Sequence, residues 1–234
     1  VGVSGHAILD VDMDGAPGQK LAAVIQEIDG RRVLTVALVT QRRTLVGGGT
    51  WRVTKKIDLT DQLEAPPRKV LLNARADSVL VITEAGTVLY FKRDGDVFTR
   101  AQTLDPFSGE SDDRLQDADY LFGDDSLVVW SASGRNLIYS LYNQEGLGRR
   151  FGLTKTFPTL PGGVTSYAKS VRNKAFLITG LSSASLRYST TDSIRWAADL
   201  PYAVRAGFIG PKYDALWLLD EENKLHRFAL HDPH

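Results

Sequence analysis

The segment DSVLVITEAGTVLYFKR, Asp77 to Arg93, has the pattern of a β-hairpin. Apolar and β-branched residues lead into Glu84-Ala85-Gly86, and a second run of the same kind follows. Two such runs on either side of a glycine-containing turn predict a pair of antiparallel strands. Three later segments share the pattern and begin at Asp125, Asn173 and Asp214. A hairpin that recurs in this way predicts a repeated architecture.

The hairpins are evenly spaced along the chain. The polar residues that precede them are 48, 48 and 41 residues apart. A short β-like run comes before each hairpin, and another follows the first three and ends at Leu104, Leu160 or Leu200. Four strands per unit, at a period of about 40–50 residues, are typical of the blades of a β-propeller.

The sequence therefore predicts an all-β, β-propeller-like fold, a single domain with about five four-stranded blades. The last blade is expected to lack its outermost strand, and the ring is larger if further blades lie outside this sequence. Helix should be scarce, because no apolar repeat at helical spacing appears. A β-sandwich with a coincidental period is the alternative. The predicted domain covers residues 1–234, with blades at about 5–60, 69–104, 117–160, 165–200 and 203–230.

Composition excludes several classes of protein. The 234 residues carry 28 basic and 28 acidic side chains, which argues against a dedicated nucleic-acid binder. There is no cysteine, so disulfides, thiolate nucleophiles and cysteine-based zinc sites are ruled out. No apolar run approaches the roughly 18 residues that span a bilayer. Because the first residue is Val1 and the only methionine is Met13, we expect a domain cut from a longer chain.

The sequence predicts no catalytic residue, metal or cofactor. DVDMDG, Asp10 to Gly15, opens like a calcium-binding EF-hand loop, but Leu21 stands where that loop needs a glutamate. The histidines lack metal-ligand spacing, and no nucleophile elbow is present. The predicted innermost strands carry mixed charges, which favours an ion-paired channel wall. The residues concerned are Asn73, Arg75, Asp117, Asp119, Lys169 and Arg205.

Long loops on a rigid scaffold commonly carry binding residues, and three long loops are predicted here. Two of them are basic, through Arg42 and Arg43 in one and Arg149 and Arg150 in the other. These four arginines are the predicted partner-binding residues. The third loop lies on the opposite predicted face and is acidic, through Asp105, Glu110, Asp112 and Asp113.

Three phrases, LPGGVTSYAKSVRNKAFLITG, SLRYSTTDSIRW and KLHRFALHDPH, suggest a family. They resemble the extra-membrane insertion of the enlarged permease subunits of phosphate-type ABC transporters in Gram-negative bacteria. The resemblance is strongest from about Leu160 to the end. It implies a domain on the periplasmic side of the inner membrane, connected to membrane helices that flank it.

The resemblance implies a non-catalytic protein-interaction module of a permease involved in phosphate-type uptake. Its partners would be the transporter subunits and a periplasmic solute-binding protein. The resemblance brings no catalytic, metal-binding or cofactor-binding residues with it. Two alternatives stay open: a propeller enzyme with its site in the central channel, and a scaffold for envelope assembly.

Overall fold

The structure is a computed structural model that describes residues 6–43, 49–108, 113–121, 125–188 and 194–230. Its strands form five antiparallel sheets, each built from consecutive strands of the chain in chain order. This arrangement is that of propeller blades, and the β-propeller-like prediction is confirmed. Among the described residues the fifth sheet has three strands, in keeping with the prediction that the last blade lacks its outermost strand.

The strands of the five sheets have the following bounds. Sheet 1 contains β1 (Ala7–Asp14), β2 (Gln19–Ile28), β3 (Arg31–Arg43) and β4 (Gly49–Asp58). Sheet 2 contains β5 (Pro67–Leu72), β6 (Ser78–Thr83), β7 (Val88–Asp94) and β8 (Val97–Leu104). Sheet 3 contains β9 (Leu115–Tyr120), β10 (Ser126–Ser131), β11 (Asn136–Gln144) and β12 (Gly148–Phe157). Sheet 4 contains β13 (Val164–Ser170), β14 (Ala175–Gly180), β15 (Ser183–Tyr188) and β16 (Ile194–Asp199), and sheet 5 contains β17 (Val204–Ile209), β18 (Ala215–Asp220) and β19 (Leu225–Ala229).

The four hairpins occupy equivalent places in successive sheets. Their first strands are β6, β10, β14 and β18, and each is the second strand of its own sheet. Three residues in the turns of these hairpins, Gly86, Gly134 and Asn223, adopt the left-handed conformation, with φ of 83°, 95° and 64°. Within the described part of the chain, helix is limited to one 3-10 turn at Thr60–Gln62, which confirms that helix is scarce. No helix of the described residues is long and apolar enough to cross a membrane.

The chain divides into two compact units. The first comprises Val1–Ser108 and Asn143–Arg150, and the second comprises Gly109–Tyr142 and Phe151–His234. The first unit therefore holds sheets 1 and 2, and the second holds most of sheet 3 together with sheets 4 and 5. The prediction of a single domain stays a prediction.

The core of the first unit lies between sheets 1 and 2. Leu21 and Ile25 on β2 pack with Val79 and Val81 on β6 and with Phe91 on β7, and all five are buried. The members of this cluster on β2, β6 and β7 stand at every second residue, so they share one face of each strand. One blade thus covers the apolar face of the next, which a single four-stranded sheet cannot do alone.

In the second unit, β14 is buried on both faces. Phe176 and Ile178 belong to a cluster shared with sheet 3, whereas the alternate residues Ala175 and Leu177 belong to a cluster shared with sheet 5. Sheet 4 therefore packs between two neighbours. This packing explains why β14 reads as a continuous apolar run instead of an alternating one.

Aromatic rings join sheets 3 and 4. Trp130 stacks on Tyr167, with ring centroids 5.1 Å apart, and Phe157 meets Phe176 edge to face at 5.8 Å. Trp130 and Phe176 therefore pack between neighbouring blades. Trp217 behaves differently: it is half-buried, and the Arg227 guanidinium lies 5.8 Å from its ring centroid.

Candidate functional site

Neighbouring inner strands of the second unit are joined by polar side chains. Lys169 on β13 places its Nζ 2.8 Å from Asp119 Oδ2 and donates to the Tyr120 carbonyl at 2.6 Å. Ser166, also on β13, accepts a hydrogen bond at 2.8 Å from the backbone N–H of Gly207 on β17. The predicted ion pairing of the inner strands is thus confirmed for Asp119 and Lys169.

Two other residues that were predicted to lie on inner strands form hydrogen bonds within or next to turns. Asn73 is buried, and its Oδ1 accepts hydrogen bonds at 3.0 Å from the backbone N–H groups of Asp77 and Ser78. It therefore shapes the approach to the first hairpin, and its predicted place on a channel wall was wrong. Arg205 donates from Nη1 to Asn223 Oδ1 at 3.1 Å, so its partner is a turn amide and not a carboxylate.

Two aspartates of DVDMDG accept hydrogen bonds from the backbone of sheet 2 in the first unit. Asp10 Oδ2 accepts a hydrogen bond at 2.8 Å from the Val70 N–H, and Asp12 Oδ2 accepts one at 2.7 Å from the Leu72 N–H. Both amides belong to β5, an edge strand of sheet 2 whose outer N–H groups need acceptors. The alternating carboxylates thus bind the edge of the neighbouring blade.

We expect Asp12→Ala to destabilise the protein by about 2 kcal/mol, because a buried amide would lose a charged acceptor. Asp61→Ala is the control, since its side chain is 94% exposed in a surface pair with Arg31 and should contribute about 0–1 kcal/mol. Urea denaturation of both variants measures the difference. Equal effects would show that the bond to Leu72 contributes nothing.

The same carboxylates would be the ligands of any calcium ion bound by DVDMDG. Because Asp10 and Asp12 already accept backbone hydrogen bonds, we expect calcium to leave the denaturation midpoint of the protein unchanged. Among the residues that the structure describes, no group of three or more metal-ligating side chains is present. Micromolar calcium binding by titration calorimetry, lost in Asp12→Ala, would contradict this expectation.

A paired carboxylate and imidazole lie in sheet 5. His226 Nε2 is 2.8 Å from Asp220 Oδ2, and the imidazole stacks on Tyr202 with centroids 3.9 Å apart. The hydrogen bond from His226 lowers the pKa of Asp220, and the Lys224 backbone N–H acts in the same direction. Burial opposes these two effects.

The lowered pKa of Asp220 predicts how the stability of the protein depends on pH in acid. A carboxyl whose pKa is lower in the folded state adds stability above its unfolded pKa, near 3.9, and loses it as pH falls through the folded value. We therefore expect the stability of Asp220→Asn to fall less steeply with acid than that of the unaltered protein, below about pH 4. Thermal denaturation between pH 2.5 and 6 measures this, and parallel curves would contradict it.

The predicted partner-binding arginines lie in the first unit. Arg42 is exposed on β3, and the side chain of Arg43 lies outside the described residues. Arg149 and Arg150 lie on β12 and are half-buried; the Arg150 Nε is buried and makes no hydrogen bond. The structure does not test the role of these arginines, which stays a prediction.

The predicted acidic loop is only partly an exposed acidic surface in the structure. Asp105 is exposed, but Asp113 is buried and lies 3.6 Å from Arg135 Nη1. The assignment of Asp113 to a free acidic surface was therefore wrong, because an arginine 22 positions later neutralises it. Glu110 and Asp112 lie outside the described residues.

A cleft of about 540 Å³ opens in the first unit between the β2–β3 turn and the segment before β5. Four of its five charged residues form ion pairs with oppositely charged neighbours. Arg32 lies 2.7 Å from Glu84, and Glu64 lies 2.6 Å from Arg100. Such half-exposed pairs shape a polar surface and contribute little stability.

The second unit contains a buried arginine that the sequence did not reveal. Arg187 on β15 is only 2% exposed. Its Nη1 donates to Asn136 Oδ1 at 2.5 Å, its Nε donates to Ser185 Oγ at 2.8 Å, and its guanidinium carbon lies 4.4 Å from the centroid of the Phe157 ring. None of these partners is negatively charged. Burial lowers the pKa of the guanidinium to about 10, which leaves it charged at neutral pH.

Arg187 lines a cleft of about 260 Å³. Ser183 lines the same cleft, and its hydroxyl is buried without a hydrogen-bond partner. The remaining wall is mainly apolar. It consists of Pro158, Thr159, Leu160, Pro161, Ala184, Ser185, Ile194, Ala197, Ala198 and Asp199.

No protein-family model matches the sequence, and no curated protein sequence matches it. Solved structures do share its fold. BBS1N, crystallised with ARL6DN, has a TM-score of 0.63 and 12% identity over 99% of this chain and 68% of its own. Sqt1 from Chaetomium thermophilum, bound to the N-terminus of the ribosomal protein L10, has a TM-score of 0.66 and 8% identity over 97% of this chain and 61% of its own.

A functionally unknown protein from Desulfotomaculum acetoxidans is a third neighbour, with a TM-score of 0.63 and 13% identity over 98% of this chain and 70% of its own. BBS1N and Sqt1 are β-propeller proteins. At these identities the similarity shows the fold alone, because unrelated functions share common folds. The chain thus has a β-propeller-like fold.

Proposed function

We propose that the chain is a non-catalytic protein-interaction domain. The observation that carries this proposal is the similarity of almost the whole chain to propellers whose crystal structures contain a bound protein partner. BBS1N holds ARL6DN, and Sqt1 holds the N-terminus of L10. Propeller blades form a rigid scaffold, and the loops between their strands are free to carry binding residues.

The inner strands support a non-catalytic role. General acid–base catalysis needs a titratable group within reach of a substrate proton. The inner-strand carboxylate Asp119 instead forms an ion pair with Lys169, and Asp10 and Asp12 accept backbone hydrogen bonds from β5. These charged groups join blades to one another.

We further propose that this domain is the periplasmic part of the enlarged permease subunit of a phosphate-type ABC transporter. The phrases between Leu160 and the end of the chain support this proposal. The domain would dock a periplasmic solute-binding protein or another transporter subunit. Arg42, Arg43, Arg149 and Arg150 would steer an acidic partner through long-range attraction, which raises the rate of association.

The parent reading frame tests the permease proposal directly. We expect it to encode apolar segments of about 20 residues, each long enough to cross a bilayer, on both sides of this domain. A parent protein without membrane helices would contradict the permease proposal. It would leave the interaction proposal to be tested by binding.

A further inference from the structure

The cleft beside Arg187 has the features of a binding site for a negative group. We propose that it binds a carboxylate carried on a short apolar chain, held by the Arg187 guanidinium and the Ser183 hydroxyl. This inference concerns the second unit alone and does not depend on the permease proposal.

The first argument is charge. A buried cation is unfavourable unless it is paired and hydrogen-bonded. Asn136 and Ser185 supply hydrogen bonds to Arg187, and the face of Phe157 supplies a weak attraction. No carboxylate among the described residues pairs with Arg187. A bound anion would supply the missing negative charge.

The second argument is the number of free donors. A guanidinium has five N–H donors, and the described residues accept from one on Nε and one on Nη1. The donors that remain, on Nη1 and Nη2, form the planar fork that matches the two oxygens of a carboxylate. The Ser183 hydroxyl is buried and has no partner, so it offers a further donor within the same cleft.

The third argument identifies the class of ligand. The cleft, about 260 Å³, is slightly smaller than the 300–1,000 Å³ typical of sites for drug-sized molecules. Its walls include Leu160, Ala184 and Ala197, which suit an apolar chain. Asp199 is exposed at the same cleft and disfavours a second negative charge. A monocarboxylate therefore fits better than a dicarboxylate or a phosphate dianion.

Two sources can supply such a carboxylate: a free short-chain acid, or the C-terminal residue of a peptide. Titration calorimetry with butyrate and with a short apolar peptide bearing a free C-terminus distinguishes them. Butyramide and the amidated peptide are the neutral controls. We expect at least one carboxylate to bind and its amide not to bind. Binding of butyrate indicates a free acid, whereas binding of the peptide alone indicates a protein partner.

Variants of the two donors test the site itself. Because Arg187 is buried, Arg187→Gln risks misfolding, so Ser183→Ala is the primary variant. It removes an unsatisfied hydroxyl, so the denaturation midpoint should not fall, while affinity for the carboxylate should drop about 10-fold or more. Ser182→Ala, at the exposed neighbouring residue, should bind normally.

Three results would overturn the proposal. The first is that neither carboxylate binds the unaltered protein. The second is that the amides bind as well as the acids. The third is that Ser183→Ala and Ser182→Ala bind the carboxylate with the same affinity.

Discussion

Replacing Phe176 with alanine is expected to destabilise the protein by about 3–5 kcal/mol. The Phe176 ring is fully buried at the contact of sheets 3 and 4. It lies 5.8 Å from the Phe157 ring and 6.0 Å from the Tyr167 ring. Truncation would leave a cavity among rings that belong to two different sheets and cannot easily close it. The effect therefore measures how much the contact between blades contributes.

The matched control is Phe208→Ala. Phe208 lies in the same unit but is 51% exposed, so its truncation should cost less than about 1 kcal/mol. Urea denaturation followed by tryptophan fluorescence and by circular dichroism measures both variants. Similar losses at Phe176 and Phe208 would contradict the packing of sheet 3 on sheet 4.

Replacing Gly134 with alanine is expected to cost about 3 kcal/mol or more. Gly134 has φ of 95°, a conformation that already costs a residue with a side chain roughly 1–2 kcal/mol. An added Cβ would also lie 2.1 Å from the Leu160 carbonyl oxygen. The Leu160 N–H donates to the Gly134 carbonyl at 3.0 Å, so the clash would separate two hydrogen-bonded backbone segments.

Gly146→Ala separates the cost of the left-handed conformation from the cost of the clash with Leu160. Gly146 has a similar φ of 76°, but an added Cβ would meet nothing within 4 Å. Its loss of stability should therefore be close to the conformational cost alone, about 1–2 kcal/mol. If the Gly134 variant lost no more than the Gly146 variant, the close approach of the β10–β11 turn to Leu160 would be wrong.

The fold was predictable because its signals are local. Each hairpin combines two runs of apolar and β-branched residues with a turn residue such as Gly86 or Gly134, and both features are visible within a short stretch of chain. The repetition then indicated several equivalent sheets. The same local pattern could not show that β14 is buried on both faces, because that depends on sheets that lie on either side of it.

The polar contacts were less predictable because their partners are distant in sequence. Asp10 and Asp12 bind amides 60 residues later, and Arg187 meets Asn136, 51 residues earlier. Read alone, a strand such as SASLRY places its arginine at an ordinary exposed position. The two-residue period places Ser183, Ser185 and Arg187 on one polar face of β15, and only the structure shows that this face is buried.

The measurement that most directly tests the proposed interaction function is the affinity of a periplasmic solute-binding protein for this domain at low and high salt. We expect binding that weakens as salt rises, because exposed charges are screened. Arg42→Glu and the double variant Arg149→Glu with Arg150→Glu should bind more weakly at low salt. Arg172→Glu, at an exposed arginine of the β13–β14 turn, should bind normally. Affinity that is the same in every variant and at both salt concentrations, or no binding while the full transporter still captures its binding protein, would contradict the docking function.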